Sequence, residues 1–306
     1  MKLYALLALS LFFYACGSPR YFLLFFLLVF CNVIIAYLIS YIGKKGRDSS
    51  LRIFGRVCLV MGILINLSVL FYYKYYDFTV TSINTIAGTA FNTQKLMLPL
   101  GISFFTFKAI SLLSDVYHGK CELGKDPGKA ALYLSFYGQI ISGPISKYDE
   151  FFLGYDESGK AGIRDWFSGD GSRLFLRGFC KKIIFANVLG LIVAEVFATE
   201  FKMTSSALLW LGSIAYSLQL YYDFSGYSDM AIGVGKMAGI NCNENFNYPY
   251  CAASISEFWR RWHISLGNWF KDYVYFPLGG SRVKTKRRLY LNLLAVWLLT
   301  GIWHGA

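Results

Sequence analysis

The stretch YFLLFFLLVFCNVIIAYLISYI at residues 21–42 decides the fold, because it contains no charged side chain over its whole length. A helix of about 20 apolar residues spans the roughly 30 Å hydrocarbon core of a bilayer. Residues 57–73 form a second apolar run, with Asn66 and Ser68 as its polar interruptions. Both runs predict transmembrane helices, since a helix satisfies its own backbone hydrogen bonds inside lipid.

The overall composition supports the same class of protein. Of the 306 residues, 56% are apolar and 16% are charged, whereas about 25% are charged in an ordinary soluble domain. This excludes a soluble globule and a disordered chain. We therefore predict an all-α fold, a polytopic transmembrane helical bundle with short re-entrant or interfacial helices. Further apolar segments lie at 3–16, 96–114, 130–145, 174–198, 204–222 and 289–305.

The charge pattern assigns the loops to the two faces of the membrane. The formal net charge is +12, which in a soluble domain would suggest nucleic-acid binding. Here the basic residues cluster in short loops at 43–56 and 282–288, which the positive-inside rule places in the cytoplasm. We therefore expect the lipid bilayer as a partner and no nucleic acid. The charge-poor stretch 74–95 is predicted to be extracytoplasmic, and the polar loop 146–173 could lie on either face.

A tryptophan-rich segment follows a helix-start signal. Ser254 and Glu257 have the spacing of a capping box, in which each side chain bonds a backbone N–H of the first turn. The pattern predicts one helix over residues 255–271. His263 and two arginines lie among its aromatic residues, so the helix should be interfacial or buried in protein rather than exposed to lipid.

A polar cluster precedes this segment. It contains Asp223, Ser225, Ser228 and Asp229. Either Asp223 or Ser225 caps a helix, or the cluster lines a polar cavity. Further along, Gly235 and Gly239 form a small-residue step, which predicts a close approach between two helices there.

Three histidines occur in the chain, and His304 is the most informative. No Asp, Glu, Lys or Arg lies between it and Arg288, so an unbroken helix would carry it about 24 Å beyond the basic loop, into the hydrocarbon layer. A buried neutral imidazole can take a proton from a hydroxyl near neutral pH. The alternative is a neutral histidine hydrogen-bonded to a neighbouring helix. His263 is either a second catalytic group or a structural anchor, and His118 is expected to be solvated or interfacial.

Other chemistries lack their signatures. The seven cysteines include no C-x-x-C pair and no metal-ligand spacing with the histidines, so we predict no metal site. No nucleophile elbow, P-loop or H-E-x-x-H motif occurs, which argues against serine hydrolases, nucleotide hydrolases and zinc proteases.

Five stretches within residues 98–306 carry a further pattern. They are LPLGISFFTFKAISLLSDVYHG (98–119), SGPISKY (142–148), YYDFSGYSDMAIGVGKMAGI (221–240), NFNYPYCAASISEFWRRWHISLGNWFKDYVYFPLGGSR (245–282) and GIWHGA (301–306). These stretches resemble the membrane-bound O-acyltransferases, in the branch of the alginate O-acetyltransferase membrane component.

The resemblance implies transfer of an acetyl group from a cytoplasmic donor such as acetyl-CoA towards hydroxyls of an extracytoplasmic polysaccharide. No bound cofactor is implied, and the acceptor would be reached through extracytoplasmic acetyltransferase partner proteins. The family's tryptophan-histidine-glycine motif falls on Trp303-His304-Gly305, which makes His304 the implied catalytic residue, and the second family histidine falls on His263. Trp303, Asn268, Asp223, Ser225 and Asp229 are the candidate substrate-binding residues. The implied location is the bacterial inner membrane, crossed several times.

Two alternatives stay open. One is transfer of D-alanine or another acyl group to teichoic acid on the same scaffold. The other is a transporter of a polyprenyl-linked saccharide, because broken helices and buried polar groups also occur in transporters.

Residues 1–306 are expected to form one membrane-embedded acyltransferase domain with its core motifs in 96–306. Family members usually have a further N-terminal helix and a long segment after the tryptophan-histidine-glycine motif. The comparison predicts that the chain is part of a longer reading frame. A smaller departure is Gly138, where the family generally has proline.

Overall fold

The computed structural model describes residues 2–45, 49–153, 155, 169–199 and 205–305. Within these ranges the regular elements are helices and no strand occurs, which confirms the all-α class. In chain order the α-helices are α1 Lys2–Gly17, α2 Phe22–Lys45, α3 Ser49–Leu70, α4 Tyr76–Ala87, α5 Ile102–Tyr117, α6 Pro127–Ser135, α7 Tyr137–Ile140, α8 Tyr148–Phe151, α9 Asp170–Cys180, α10 Asn187–Ala198, α11 Ser206–Ala238, α12 Ile255–Arg261, α13 Ile264–Phe270 and α14 Lys286–His304.

The chain divides into two compact units. The first comprises Met1–Ile141, Ile145–Phe151 and Leu266–Ala306, and the second comprises Ser142–Pro144 and Phe152–Ser265. The single domain expected over 1–306 stays a prediction.

Two helical stretches in the described ranges are long and apolar enough to cross a membrane. Pro19–Lys45 contains the uncharged run of α2. Ser49–Ala87 joins α3 to α4 through a π-helical turn at Phe71–Tyr75. The described residues therefore form a helical fold with two clear candidate spans. The polytopic bundle expected from the sequence stays a prediction.

In the first unit, α2 and α3 are joined by a reciprocal pair of amide hydrogen bonds. Asn32 Nδ2 donates to Asn66 Oδ1 at 3.1 Å, and Asn66 Nδ2 donates to Asn32 Oδ1 at 2.8 Å. Each amide also donates to the carbonyl four residues earlier, that of Leu28 or Gly62. Both side chains are buried and their donors are satisfied, so the polar interruption of the second apolar run fixes a helix contact.

Helix α5 begins directly after a glycine that no other residue could easily replace. Gly101 has φ +66°, and a Cβ at this position would overlap the carbonyl oxygen of Ile140. The helix in the apolar segment 96–114 therefore starts only at Ile102, and it runs to Tyr117.

In the second unit, α9 and α11 pack backbone to backbone along a glycine seam. Gly171 faces Gly233, and Gly178 faces Gly226, with no room for a methyl group on any of the four. The expected step at Gly235 and Gly239 was the wrong pair, because Gly239 has φ +74° and ends α11.

Two helical segments extend further than the sequence indicates. The apolar segment 204–222 does not end a helix at Tyr222: α11 runs from Ser206 to Ala238, so Asp223 and Ser225 lie in its interior and do not cap an end. The stretch 74–95, which the charge pattern predicts to be extracytoplasmic, is helical as far as Ala87. Residues 154 and 156–168 of the polar loop 146–173 lie outside the described residues, as does part of the basic loop 43–56, including Arg47.

The predicted helix over residues 255–271 is also wrong. The chain breaks at Trp262 and His263 into α12 and α13, and His263 has φ +45°. Left-handed backbone is unfavourable for a residue with a side chain, so tertiary contacts must hold His263 in this conformation.

Candidate functional site

His304 lies in the last turn of α14, which is unbroken from Lys286. Thr285 caps the helix by accepting the N–H of Arg288 at 3.3 Å. His304 is sixteen helical steps beyond Arg288, or about 24 Å, as the sequence predicts. The His304 side chain is exposed, its ring centroid is 4.3 Å from that of Trp303, and in the part of the chain that is described it makes no hydrogen bond.

Trp303 is held from two sides within the first unit. Its indole packs against Phe104 and Phe107 of α5, at centroid distances of 6.0 and 5.3 Å. On the other side, Lys74 Nζ donates to the carbonyl oxygen of Trp303 and lies 5.3 Å from the indole centroid. A cation at the carboxyl end of a helix complements the helix dipole. The backbone next to His304 is thereby anchored.

The same face of α5 binds aromatic residues at the end of α13 and in the turn after it. Trp269 Nε1 donates to Ser111 Oγ at 2.8 Å and to the carbonyl oxygen of Phe107 at 3.1 Å. One helical turn further on, Tyr273 donates to Asp115 Oδ2 at 2.6 Å. Asn268, a predicted substrate-binding residue of the first unit, is exposed beside Trp269.

His263 belongs to the second unit and is buried, with 5% of its surface exposed. Its Nδ1 lies 3.1 Å from Asn245 Oδ1, and its ring stands edge-on to Phe224 at 4.7 Å. Asn245 Oδ1 also accepts the backbone N–H and the hydroxyl of Ser265, at 3.2 and 2.8 Å. Its Nδ2 donates to Ser228 Oγ at 3.1 Å. Sequence reasoning missed Asn245, because no local spacing links residues 18 apart in an irregular segment.

The acidic candidates Asp229 and Asp223 form ion pairs with the helix before them. Asp229 binds Arg177 through two contacts of 3.1 and 3.3 Å, and Lys181 at 2.8 Å. Asp223 pairs with Lys182. Ser225, the third candidate, is buried, and its hydroxyl has no hydrogen-bond partner among the described residues.

A cavity of about 610 Å³ opens beside this network in the second unit. Cavities of this size hold small-molecule ligands. Asn245 and Ser228 line the cavity, so part of the hydrogen-bond network of His263 lies in the cavity wall. Its charged lining residues are Asp170, Arg173, Arg177, Asp229, Lys236 and Glu244.

The predicted capping box at α12 is present in a modified form. Ser254 accepts the N–H of Glu257 at 3.1 Å, while the Glu257 carboxylate accepts the N–H of Ala253, at 2.9 Å, rather than that of Ser254. This backbone hydrogen bond and the salt bridge to Arg261 lower the pKa of Glu257. These hydrogen bonds therefore fix the start of α12, the helix that leads to His263.

The remaining candidates bear on metal and histidine chemistry. Over the described ranges, no three His, Cys, Asp or Glu side chains converge as a metal site would require. His118 is exposed, as expected, and its Nδ1 is 2.8 Å from the carbonyl oxygen of Ser114.

The structure places His304, Trp303 and Asn268 in the first unit, and His263, Asp223, Ser225 and Asp229 in the second.

Comparison with known proteins identifies the family. Residues 127–306 match the family model of the membrane-bound O-acyltransferases. The chain is 40% identical over 98% of its length to the probable alginate O-acetylase AlgI of Pseudomonas aeruginosa, covering 56% of that protein. It is 36% identical over its whole length to the peptidoglycan O-acetyltransferase of Helicobacter pylori, covering 60%, and 32% identical over 69% to the teichoic acid D-alanyltransferase of Bacillus subtilis, covering 55%.

The chain thus spans about half the length of the curated relatives it matches. The family match covers more than half of the chain, and it includes both His263 and His304. The protein is therefore a member of the membrane-bound O-acyltransferase family.

Proposed function

We propose that the protein is a multi-pass inner-membrane O-acyltransferase, which transfers acetyl from a cytoplasmic donor such as acetyl-CoA towards hydroxyls of an extracytoplasmic polysaccharide. The observation that carries the proposal is the pair Trp303 and His304 at the end of a 19-residue helix, in a chain similar to proteins named as O-acetylases. The donor is a co-substrate, and no bound cofactor or nucleic acid takes part. The whole of residues 1–306 would belong to one acyltransferase domain.

In this proposal His304 is the general base. Its imidazole takes the proton of the acceptor hydroxyl while the oxygen attacks the carbonyl carbon of the acyl thioester. The carbon–sulfur bond then breaks, and the thiolate receives the proton from the imidazolium. General-base catalysis of this kind contributes about 10²- to 10⁴-fold in rate.

The surroundings of Trp303 support this role for His304. Phe104 and Phe107 fix the indole from one side, and Lys74 holds the backbone carbonyl from the other. Because reacting groups must be held within fractions of an ångström, anchoring the preceding residue favours a productive orientation of the imidazole. Trp303 and the exposed Asn268 are proposed to contact substrate.

His263 is proposed to assist the reaction or to hold the donor route. The cavity beside its network, with Asp229 on the wall, is large enough for part of an acyl donor. Asp223 and Ser225 lie on the same helix, α11, and are kept as candidates for the polar lining of that route. Extracytoplasmic acetyltransferase proteins are the proposed partners that deliver the acetyl group to the polymer.

The test measures ester-linked acetyl on the surface polysaccharide of cells whose copy of the gene encodes His304→Ala. We expect at least a hundredfold loss of ester at equal membrane abundance, with polymer export unchanged. His118→Ala is the matched control, because this exposed histidine lies at the end of α5 and its ring contacts Ser114 of the same helix. Acetylation that survives His304→Ala would refute the base assignment.

The similarity to a teichoic acid D-alanyltransferase favours a second candidate, transfer of D-alanine on the same scaffold. Hydrolysing the surface ester distinguishes the two, because it releases acetate in one case and D-alanine in the other. Loss of exported polymer in the His304→Ala cells, with no ester lost from what remains, would instead indicate a transporter.

A further inference from the structure

We propose that Asn245 is a positioning residue that holds the His263 imidazole as the tautomer with hydrogen on Nδ1, which leaves Nε2 as its basic nitrogen. The assignment rests on hydrogen-bond geometry within the second unit. Its significance for acyl transfer rests on the proposed function.

The orientation of the Asn245 amide is fixed by a group that can only donate. The backbone N–H of Ser265 points at one end of the amide, 3.2 Å away, and a backbone N–H cannot accept a hydrogen bond. That end must be the carbonyl oxygen Oδ1. The amide nitrogen consequently faces Ser228 Oγ, which accepts at 3.1 Å.

The tautomer of His263 follows from this orientation. Its Nδ1 lies 3.1 Å from Asn245 Oδ1, an oxygen that can only accept. Nδ1 must therefore carry a hydrogen. In a neutral imidazole the other nitrogen then has the lone pair, and the hydrogen bond at one nitrogen decides which one is basic. The arrangement is that of a histidine oriented as a base through Nε2.

Asn245 is itself rigid, as a positioning residue requires. It is 1% exposed, and its backbone carbonyl accepts the N–H of Ile264 at 2.9 Å. Its carbonyl and its side chain therefore cap the first two N–H groups of α13, satisfying donors that a helix start leaves open. Asn245 thus fixes the start of α13, the left-handed backbone of His263 before it, and the orientation of the His263 ring.

The experiment reads the tautomer directly, by ¹⁵N NMR of the whole protein in lipid nanodiscs with ¹⁵N-labelled histidine. The chain has three histidines, so His263→Gln and His118→Ala assign the signals. At a pH where the imidazole is neutral, we expect the ¹⁵N signals of His263 to show a protonated Nδ1 and an unprotonated Nε2. A wild-type spectrum with the hydrogen on Nε2 would overturn the proposal.

Two variants test the role of Asn245. Asn245→Asp keeps an acceptor oxygen towards Nδ1 and should retain the tautomer. Asn245→Leu has a similar volume without the acceptor, and it should convert His263 to a mixture of tautomers. An unchanged spectrum in Asn245→Leu would contradict the assignment. If that variant does not fold, the wild-type and Asn245→Asp spectra still decide the question.

Acyl transfer is measured separately in the same preparations. We expect Asn245→Asp to rescue most of the transfer rate that Asn245→Leu loses, about 10²-fold. Equal loss in both variants would show that Asn245 acts in another way. Absence of transfer in the wild type would refute the proposed function and leave the tautomer result intact.

Discussion

Replacing His263 by glycine or by alanine separates backbone strain from the loss of the ring. Both changes remove the imidazole and its bond to Asn245, so the two variants differ only in how they accept φ +45°. A residue with a Cβ pays roughly 1–2 kcal/mol in left-handed backbone. Glycine avoids this cost, but loses about 0.5–1 kcal/mol through its greater freedom when unfolded. We expect His263→Gly to be the more stable variant by about 0.5–1 kcal/mol.

The control is an exposed position in the adjacent helix α13. Asn268 has ordinary helical backbone, where glycine is about 1 kcal/mol less stable than alanine. The order of the two variants should therefore reverse between positions 263 and 268. This reversal removes any general effect of glycine on the unfolded chain.

The assay is thermal unfolding of the purified protein in one detergent, followed by tryptophan fluorescence. The expected difference between the two variants at position 263 is about 1–3 °C. If His263→Ala unfolds at the same temperature as His263→Gly or higher, the break between α12 and α13 is not held in left-handed backbone.

Three other perturbations have defined outcomes. Gly101→Ala and Gly119→Ala share φ +66°, but Gly119 faces open space. Gly101→Ala should therefore cost about 1–3 kcal/mol more in unfolding free energy, from overlap with a backbone carbonyl. Asn32→Leu and Asn66→Leu should each lower the free energy of unfolding in detergent. In a double-mutant cycle, the loss in the double variant should be about 1 kcal/mol smaller than the sum of the two single losses. Because the pKa of Glu257 is lowered from 4.5, its stabilisation is full above pH 4.5 and is lost as the pH falls through the lowered value. The difference in thermal midpoint between wild type and Glu257→Gln should shrink accordingly.

Sequence patterns predicted what depends on neighbouring residues. The uncharged run of α2 and the cap at Ser254 both depend on residues that are close together in the sequence. The position of His304 at the end of an unbroken helix also follows from a local pattern, the absence of charge after Arg288. Its chemical role stays a prediction.

Features that depend on distant residues could not be predicted in this way. The break at His263 contains no glycine or proline, and the cap that stabilises it comes from Asn245, 18 residues earlier. The opposite error occurred in α11, where acidic residues suggested a helix end. Asp223 and Asp229 are tolerated in the helix interior because cations of the preceding helical segment neutralise them.

The glycine seam between α9 and α11 fixes how these two helices of the second unit are aligned along their length. Gly171 and Gly178 are seven residues apart, as are Gly226 and Gly233, so both contacts are met in one alignment of the two helices. Sliding by a single turn would bring larger side chains into both contacts and separate Asp229 from its cations. A lengthening or shortening of either helix between its two glycines would therefore misalign the wall of the cavity, even if every residue lining it were kept.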